Sequence, residues 1–224
     1  MAQGRRRLGC HSALSRNRPL DDQLSVREAV ADLLASVGLA TRGYASVTEF
    51  RERDDPACPG CLVLDVRMPG SSGFDLLATM TAEGNRLPVV FVSGHGDIAM
   101  AVRAMKAGAV DFIAKPFNDQ HLIDAVNAAI RQDGVRRRAD RAVADAARRL
   151  ASLSDGEWDV MRLTVEGLRI KQIADRLTIS EITVKTRRAR MMQKLGATSL
   201  MELLQIHSLG STRNGGARGG DFDL

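Results

Sequence analysis

Cysteine is scarce in this chain, with three in 224 residues at positions 10, 58 and 61. An odd and small count excludes a disulfide framework for a chain of this size. Long apolar runs are missing too. No stretch approaches the ~20 apolar residues a membrane-spanning helix requires, which predicts a protein with no membrane partner. The opening MAQGRRRLGCHSALSR is basic but has no apolar core, so it does not read as a secretory signal. The length predicts one or two domains, and a cytoplasmic location is the expectation. Cys58-Pro59-Gly60-Cys61 has the C-x-x-C spacing of a redox or zinc motif. It has no second cysteine pair, no neighbouring histidine and no helix N-terminus to stabilise a thiolate, so it reads as two reduced thiols.

What the chain does have is an uneven charge. Residues 1–19 carry five arginines and no acid, residues 20–131 hold 10 Lys/Arg against 15 Asp/Glu, and residues 132–224 hold 17 against 12. An acidic part followed by a basic part suits a metal-dependent phosphoacceptor joined to a nucleic-acid binder, whose cations replace the counterions of DNA phosphates.

Three short apolar runs, Cys61 to Leu64, Val89 to Val92 and Val110 to Ala114, have the length of buried parallel strands. Each is followed at once by a reactive group: Asp65, Ser93 and Lys115. Strands ending at one edge of a parallel sheet would bring carboxylate, hydroxyl and ammonium together. A carboxylate can accept a phosphoryl group, but the acyl phosphate adds negative charge that must be matched. Lys115 supplies a cation and Ser93 a donor. Asp65 with the adjacent Asp21 and Asp22 forms an oxygen-rich set suited to magnesium, and without a metal these carboxylates repel one another.

Helix signals alternate with the strand runs, which predicts βα units around a parallel sheet. Ser25-Val26-Arg27-Glu28 and Ser46-Val47-Thr48-Glu49 read as capping boxes, and further helices are predicted over about 72–82, 97–107 and from 119 onward. The first strand is the irregular element. Ser15-Arg16-Asn17-Arg18-Pro19-Leu20 puts two arginines and a proline where a dry central strand is needed, and so predicts a degenerate strand. Three readings follow: a misplaced start before Leu20, a distorted or edge strand, or a phosphoacceptor domain that does not accept phosphate normally.

Residues 132–150, rich in alanine and arginine, predict a helical linker whose run Arg136-Arg137-Arg138 is a solvated face. Residues 151–209 predict four helices. Ser154-Asp155-Gly156-Glu157 caps the first, Ile170 to Leu177 forms the second, Thr178-Ile179 turns, Ser180 caps a basic third helix, and Ser199 opens the fourth. Helix, turn and basic helix are the parts of a DNA-reading unit. In the third helix Lys185, Arg187, Arg188, Arg190 and Lys194 are the candidate DNA contacts, while Ile182, Met191 and Leu195 are assigned to the core. The Gly-rich residues 210–224 predict a flexible tail.

The segments CLVLDVRMPGSSGFDLL, VVFVSGHGDIAMAVRAMKAGAVDFIAKPF and ISEITVKTRRARMMQKLGA closely resemble FixJ-type response regulators, in which a receiver is joined to a LuxR-type helix-turn-helix. The resemblance implies a flavodoxin-like α/β receiver of five parallel strands and an all-α DNA-binding domain. It implies that Asp65 is phosphorylated by a sensor histidine kinase, that Asp21 and Asp22 are the metal pair, and that Ser93, Phe112 and Lys115 form the switch, with a cis Lys115-Pro116 bond. His95 then falls in a loop of the family pattern. The resemblance further implies activated homodimerisation through the fourth and fifth helices and the strand between them, binding of promoter double-stranded DNA with Lys185 and Thr186 at base edges, contact with RNA polymerase, and regulation rather than enzymatic turnover. Arg187 stands where the family often has histidine. A phosphorylation-independent regulator, its receiver serving as an interaction scaffold, is the alternative that the irregular first strand keeps open.

Overall fold

A strand buried on both faces must be apolar on both, and the runs before Asp65 and Ser93 meet that condition, whereas the third run, which contains Asp111 and buries only Ile113, forms an edge strand of the sheet. The computed structural model describes residues 15–94 and 97–211; most of the basic segment 1–19, His95 and nearly all of the tail 210–224 lie outside them. The chain divides between Arg136 and Arg137 into two compact units.

The first unit contains β1 (Arg16–Leu20), α1 (Leu24–Ser36), β2 (Ala40–Thr41), α2 (Val47–Arg53), β3 (Leu62–Asp65), a small hairpin of β4 (Arg67–Met68) and β5 (Ser71–Ser72), α3 (Gly73–Ala82), β6 (Val89–Ser93), α4 (Ile98–Lys106), β7 (Asp111–Ala114) and the start of α5 (Asp119–Ala151). The main sheet has the order β2-β1-β3-β6-β7, all parallel. Alternate side chains pack on opposite faces. Leu20, Leu62, Leu64 and Phe91 join Phe50, Leu77 and Ala104 of α2, α3 and α4, while Val63, Val90, Val92 and Ile113 join Leu34, Leu122 and Val126 of α1 and α5. This three-layer arrangement is the flavodoxin-like α/β architecture, and it sends the strand carboxyl ends to one edge.

The irregular segment is a full strand of the sheet, not an edge. β1 lies between β2 and β3, with Arg18, Pro19 and Leu20 in register with Leu62, Val63 and Leu64. Arg18 is completely buried, yet its guanidinium is met on every side. Nε donates to Asp54 Oδ1 at 2.5 Å, Nη1 to the Arg16 carbonyl at 2.7 Å, and Nη2 to the Asp55 and Cys58 carbonyls at 3.1 and 3.0 Å. A planar fork with five donors can be satisfied in this way, which removes the several-kcal/mol penalty of an unpaired buried ion. Pro19 is tolerated for a different reason. The N–H groups of Arg16 and Arg18 face β3, bonding to Pro59 and Cys61, so the missing N–H of Pro19 faces the other flank, beyond the last residue of two-residue β2.

Cys58-Pro59-Gly60-Cys61 belongs to the same construction. Gly60 has φ +141°, and a Cβ there would lie 2.0 Å from the Arg16 carbonyl oxygen. Its N–H donates to Asp133 Oδ2 at 3.1 Å, which ties α5 to the entrance of β3. Gly60→Ala is therefore expected to destabilise the first unit by about 3 kcal/mol or more, since backbone must move and the conformation is strained for any L side chain. Urea unfolding followed by far-UV circular dichroism would measure this, and a loss below 1 kcal/mol would contradict it.

Most predicted helix starts hold, with one correction. Ser46 and Ser154 accept from the N–H groups of Glu49 and Glu157 as capping boxes require. Ser25 is not a cap. α1 begins at Leu24, and Asp21 Oδ1 accepts from the N–H of Gln23 at 2.9 Å, so the acidic loop itself opens the helix.

α5 continues without a break to Ala151. The second unit adds α6 (Asp155–Val165), α7 (Ile170–Leu177), α8 (Glu181–Leu195) and α9 (Leu200–Ser211). Leu150, Leu153, Met161, Met191, Leu195 and Leu203 form one core cluster; Val160, Leu163, Ile173 and Val184 form another.

Candidate functional site

Four adjacent strands deliver the predicted acidic site to one sheet edge. Asp21 follows β1, Asp65 ends β3, Ser93 ends β6 and Lys115 follows β7. Lys115 Nζ donates to Asp21 Oδ2 at 2.7 Å and to Asp65 Oδ1 at 3.4 Å. Its backbone N–H bonds to the Ser93 carbonyl at 2.7 Å, and the Lys115-Pro116 peptide is cis. Asp22 is exposed beside them. Carboxylate oxygens of Asp21, Asp22 and Asp65 come within 4.8 Å of one another. The edge can form because Gly73 opens α3 against it: a Cβ at Gly73 would sit 2.6 Å from the Asp65 carbonyl oxygen.

The electrostatics are unbalanced, with three carboxylates and one ammonium in the cluster. Burial pushes the Asp65 carboxyl above its ordinary range and Asp21 adds to this, while Lys115 opposes it. Three hard oxygen donors around an excess of negative charge suit a divalent cation of magnesium's kind. Since the folded-state pKa of Asp65 is raised, its ionisation opposes folding; the penalty is fully present above that pKa and is relieved as pH falls through it. Asp65→Asn is expected to stabilise the metal-free first unit at pH 7, since it removes the carboxylate whose ionisation burial and Asp21 disfavour. Melting curves of both proteins in chelator at pH 7 and pH 4 measure the gain, which should shrink at the lower pH. A less stable Asn variant at pH 7 would contradict it.

Arg27 was not among the predicted site residues, yet it holds the acidic loop. Its Nη1 donates to the Asp21 carbonyl at 2.7 Å and the Asp22 carbonyl at 3.1 Å. Its position in the first turns of α1, directly after the acidic pair, was the available signal. Phe112 is half-buried on β7 in register with Phe91 and packs on the hydrophobic core cluster that contains Phe91. The two cysteines of the C-x-x-C segment lie elsewhere. Both are fully buried, and burial pushes the Cys61 thiol up to about 12, so it is a neutral thiol at pH 7. Among the described residues, the three aspartates are the one cluster of His, Cys, Asp or Glu able to hold a metal.

The second site is the outer face of α8. The N–H of Thr183 donates to Ser180 Oγ at 3.1 Å to start the helix, and Thr178 takes a left-handed conformation, φ 54°, in the tight turn before it. Val184, Met191 and Leu195 are fully buried. Lys185, Thr186 and Arg190 are exposed and face away from that core. Three other predicted contacts are placed differently. Arg187 lies over α6, where a Cβ on Gly156 would meet its Cζ at 2.7 Å. Arg188 is half-buried beside Ile170, Ile173 and Leu200. Lys194 Nζ donates to Glu157 Oε2 at 2.6 Å and to the Ser152 carbonyl at 3.2 Å. Lys194 and the Ser154 N–H hold the Glu157 carboxyl below the usual range, so this lysine secures the start of α6. Ile182, assigned to the core from sequence, is 76 % exposed. It lies two residues before Val184, on the other side of the helix.

Comparison with known proteins agrees with this division. The receiver-domain model of response regulators matches residues 20–127, and the model of bacterial regulatory proteins of the luxR family matches residues 151–207. Nodulation protein W of Bradyrhizobium diazoefficiens is 44% identical over 196 residues, covering 87% of this chain and 86% of its own. The transcriptional regulatory protein FixJ of Azorhizobium caulinodans is 43% identical over 187 residues, covering 84% of this chain and 89% of its own. Among solved structures, the response regulator StyR superposes with a TM-score of 0.83 at 42% identity, covering 88% of this chain and 99% of its own.

Proposed function

Because the chain belongs to the FixJ-type response regulators, transcriptional regulators that join a receiver to a LuxR-type DNA-binding domain, we propose that phosphorylation of Asp65 controls its binding to promoter DNA. The observation that carries this is the ammonium of Lys115 bridging Asp21 and Asp65 at 2.7 and 3.4 Å. One Asp65 carboxylate oxygen attacks phosphorus, the bond from phosphorus to the kinase histidine nitrogen breaks, and that nitrogen keeps the electron pair. Asp21, Asp22 and Asp65 would hold magnesium, which would supply charge neutralisation to the phosphoryl oxygens. Lys115 would pair with the new oxyanion, and the Ser93 hydroxyl would donate to it. Ser93 moving inward would let Phe112 repack.

That rearrangement would change the surface of α4, β7 and α5. Ile98, Val102 and Met105 of α4 are 85, 47 and 50 % exposed, an apolar face suited to a second copy of the chain. A homodimer would then present two α8 helices to two half-sites. Contact with RNA polymerase and action in the cytoplasm follow from a promoter-binding role. The scaffold alternative loses its motivation, since β1 is a well-paired central strand that places Asp21 against Lys115. Light scattering with and without acetyl phosphate and magnesium tests the reading: the mass should double for the wild type and stay monomeric for Asp65→Asn. An unchanged mass in the phosphorylated wild type would overturn phosphorylation-driven dimerisation.

A further inference from the structure

We propose that Ile182 is a specificity residue that reads a thymine methyl in the major groove, an inference that rests on the DNA-binding reading above. α8 buries Val184, Met191 and Leu195 completely. At 100° per residue, Ile182, Thr186, Ala189 and Gln193 form a single ridge opposite that core, with Lys185 on one flank and Arg190 on the other. All six are exposed.

Isoleucine is among the residue types most often buried, and one that is 76 % exposed in the first turn of a basic helix stands out. It does not cover any core cluster of the second unit. The first turn is also the part of a recognition helix that approaches base edges. Its neighbour on the ridge adds to the chemistry. Thr186 Oγ1 donates to the Ile182 carbonyl at 2.9 Å, so its hydroxyl proton is used within the helix. Ile182 and Thr186 together therefore present a hydrocarbon strip one turn long between two cations. DNA offers one apolar group in the major groove, the C5-methyl of thymine, beside phosphates that the flanking cations complement.

The test uses the phosphorylated full-length protein and duplexes it selects from a random library. Selections are run with wild type and Ile182→Ala, and Kd is then measured on the wild-type consensus duplex with individual thymines replaced by deoxyuridine. At one thymine per half-site, loss of the methyl should weaken wild-type binding by roughly three- to tenfold, the scale of one buried methyl or methylene per half-site. Ile182→Ala should bind the normal duplex more weakly by a similar factor, be indifferent to that deoxyuridine, and relax its consensus at that position alone. Because Ile182 is exposed, the variant should keep the wild-type melting curve. An Ile182→Ala consensus and deoxyuridine profile identical to wild type would overturn the inference while leaving DNA recognition intact. Failure of the wild type to select any duplex would overturn DNA recognition itself, and the inference with it.

Discussion

Arg18→Met is expected to destabilise the first unit by about 3–5 kcal/mol, the scale for breaking a buried ion pair from one side. The substitution leaves Asp54, 7 % exposed, with the Tyr44 hydroxyl at 3.1 Å but without its cation. It also takes a donor away from the carbonyls of Arg16, Asp55 and Cys58. Asp54→Leu alone should cost a comparable amount, since it strands a fully buried guanidinium. The double variant should lose less than the sum of the two by about 2 kcal/mol or more, because neither charge is then left alone. Urea titrations of the four proteins close this cycle. Additive losses, each under about 1 kcal/mol, would show that Arg18 is not the keystone of β1. The consequence extends to function, since β1 ends one residue before Asp21.

The second large effect concerns DNA. If the competent dimer rises from about 1% to nearly all of the population on phosphorylation, apparent affinity for the operator should improve by roughly a hundredfold. Such a shift needs on the order of 5 kcal/mol of differential stabilisation, which the proposed mechanism draws from the changed dimerisation surface of α4, β7 and α5. Asp65→Asn should bind as the unphosphorylated wild type does, with or without phosphodonor. Fluorescence anisotropy at fixed ionic strength measures both; salt must be held constant because phosphate contacts make the affinity steeply salt-dependent. Equal affinity in the presence and absence of the phosphoryl group would contradict the switch.

Local signals carried much of this molecule. The boxes at Ser46 and Ser154 and the cap at Ser180 are satisfied by bonds spanning three residues, so a reader of the chain sees both partners at once. The runs before Asp65 and Ser93 are apolar on both faces, which is what a central parallel strand demands. β1 was illegible because its compensation is remote. The four partners of the Arg18 guanidinium include Asp54, Asp55 and Cys58, 36 to 40 residues away, and nothing in RNRPL announces them. The ion pair of Lys194 is hidden for the same reason, its carboxylate partner Glu157 lying 37 residues earlier. Ile182 shows a different failure. An apolar residue on an amphipathic helix was assigned to the core by type, whereas the helical angle relative to Val184, Met191 and Leu195 places it outside.

The most direct test of the account is the intact mass of the protein after incubation with acetyl phosphate and magnesium, for wild type and Asp65→Asn. One phosphoryl adduct on the wild type, absent from the variant, is the predicted result. A folded wild type that gains no adduct, or a variant that gains the same one, would contradict the assignment of Asp65 as the phosphoacceptor.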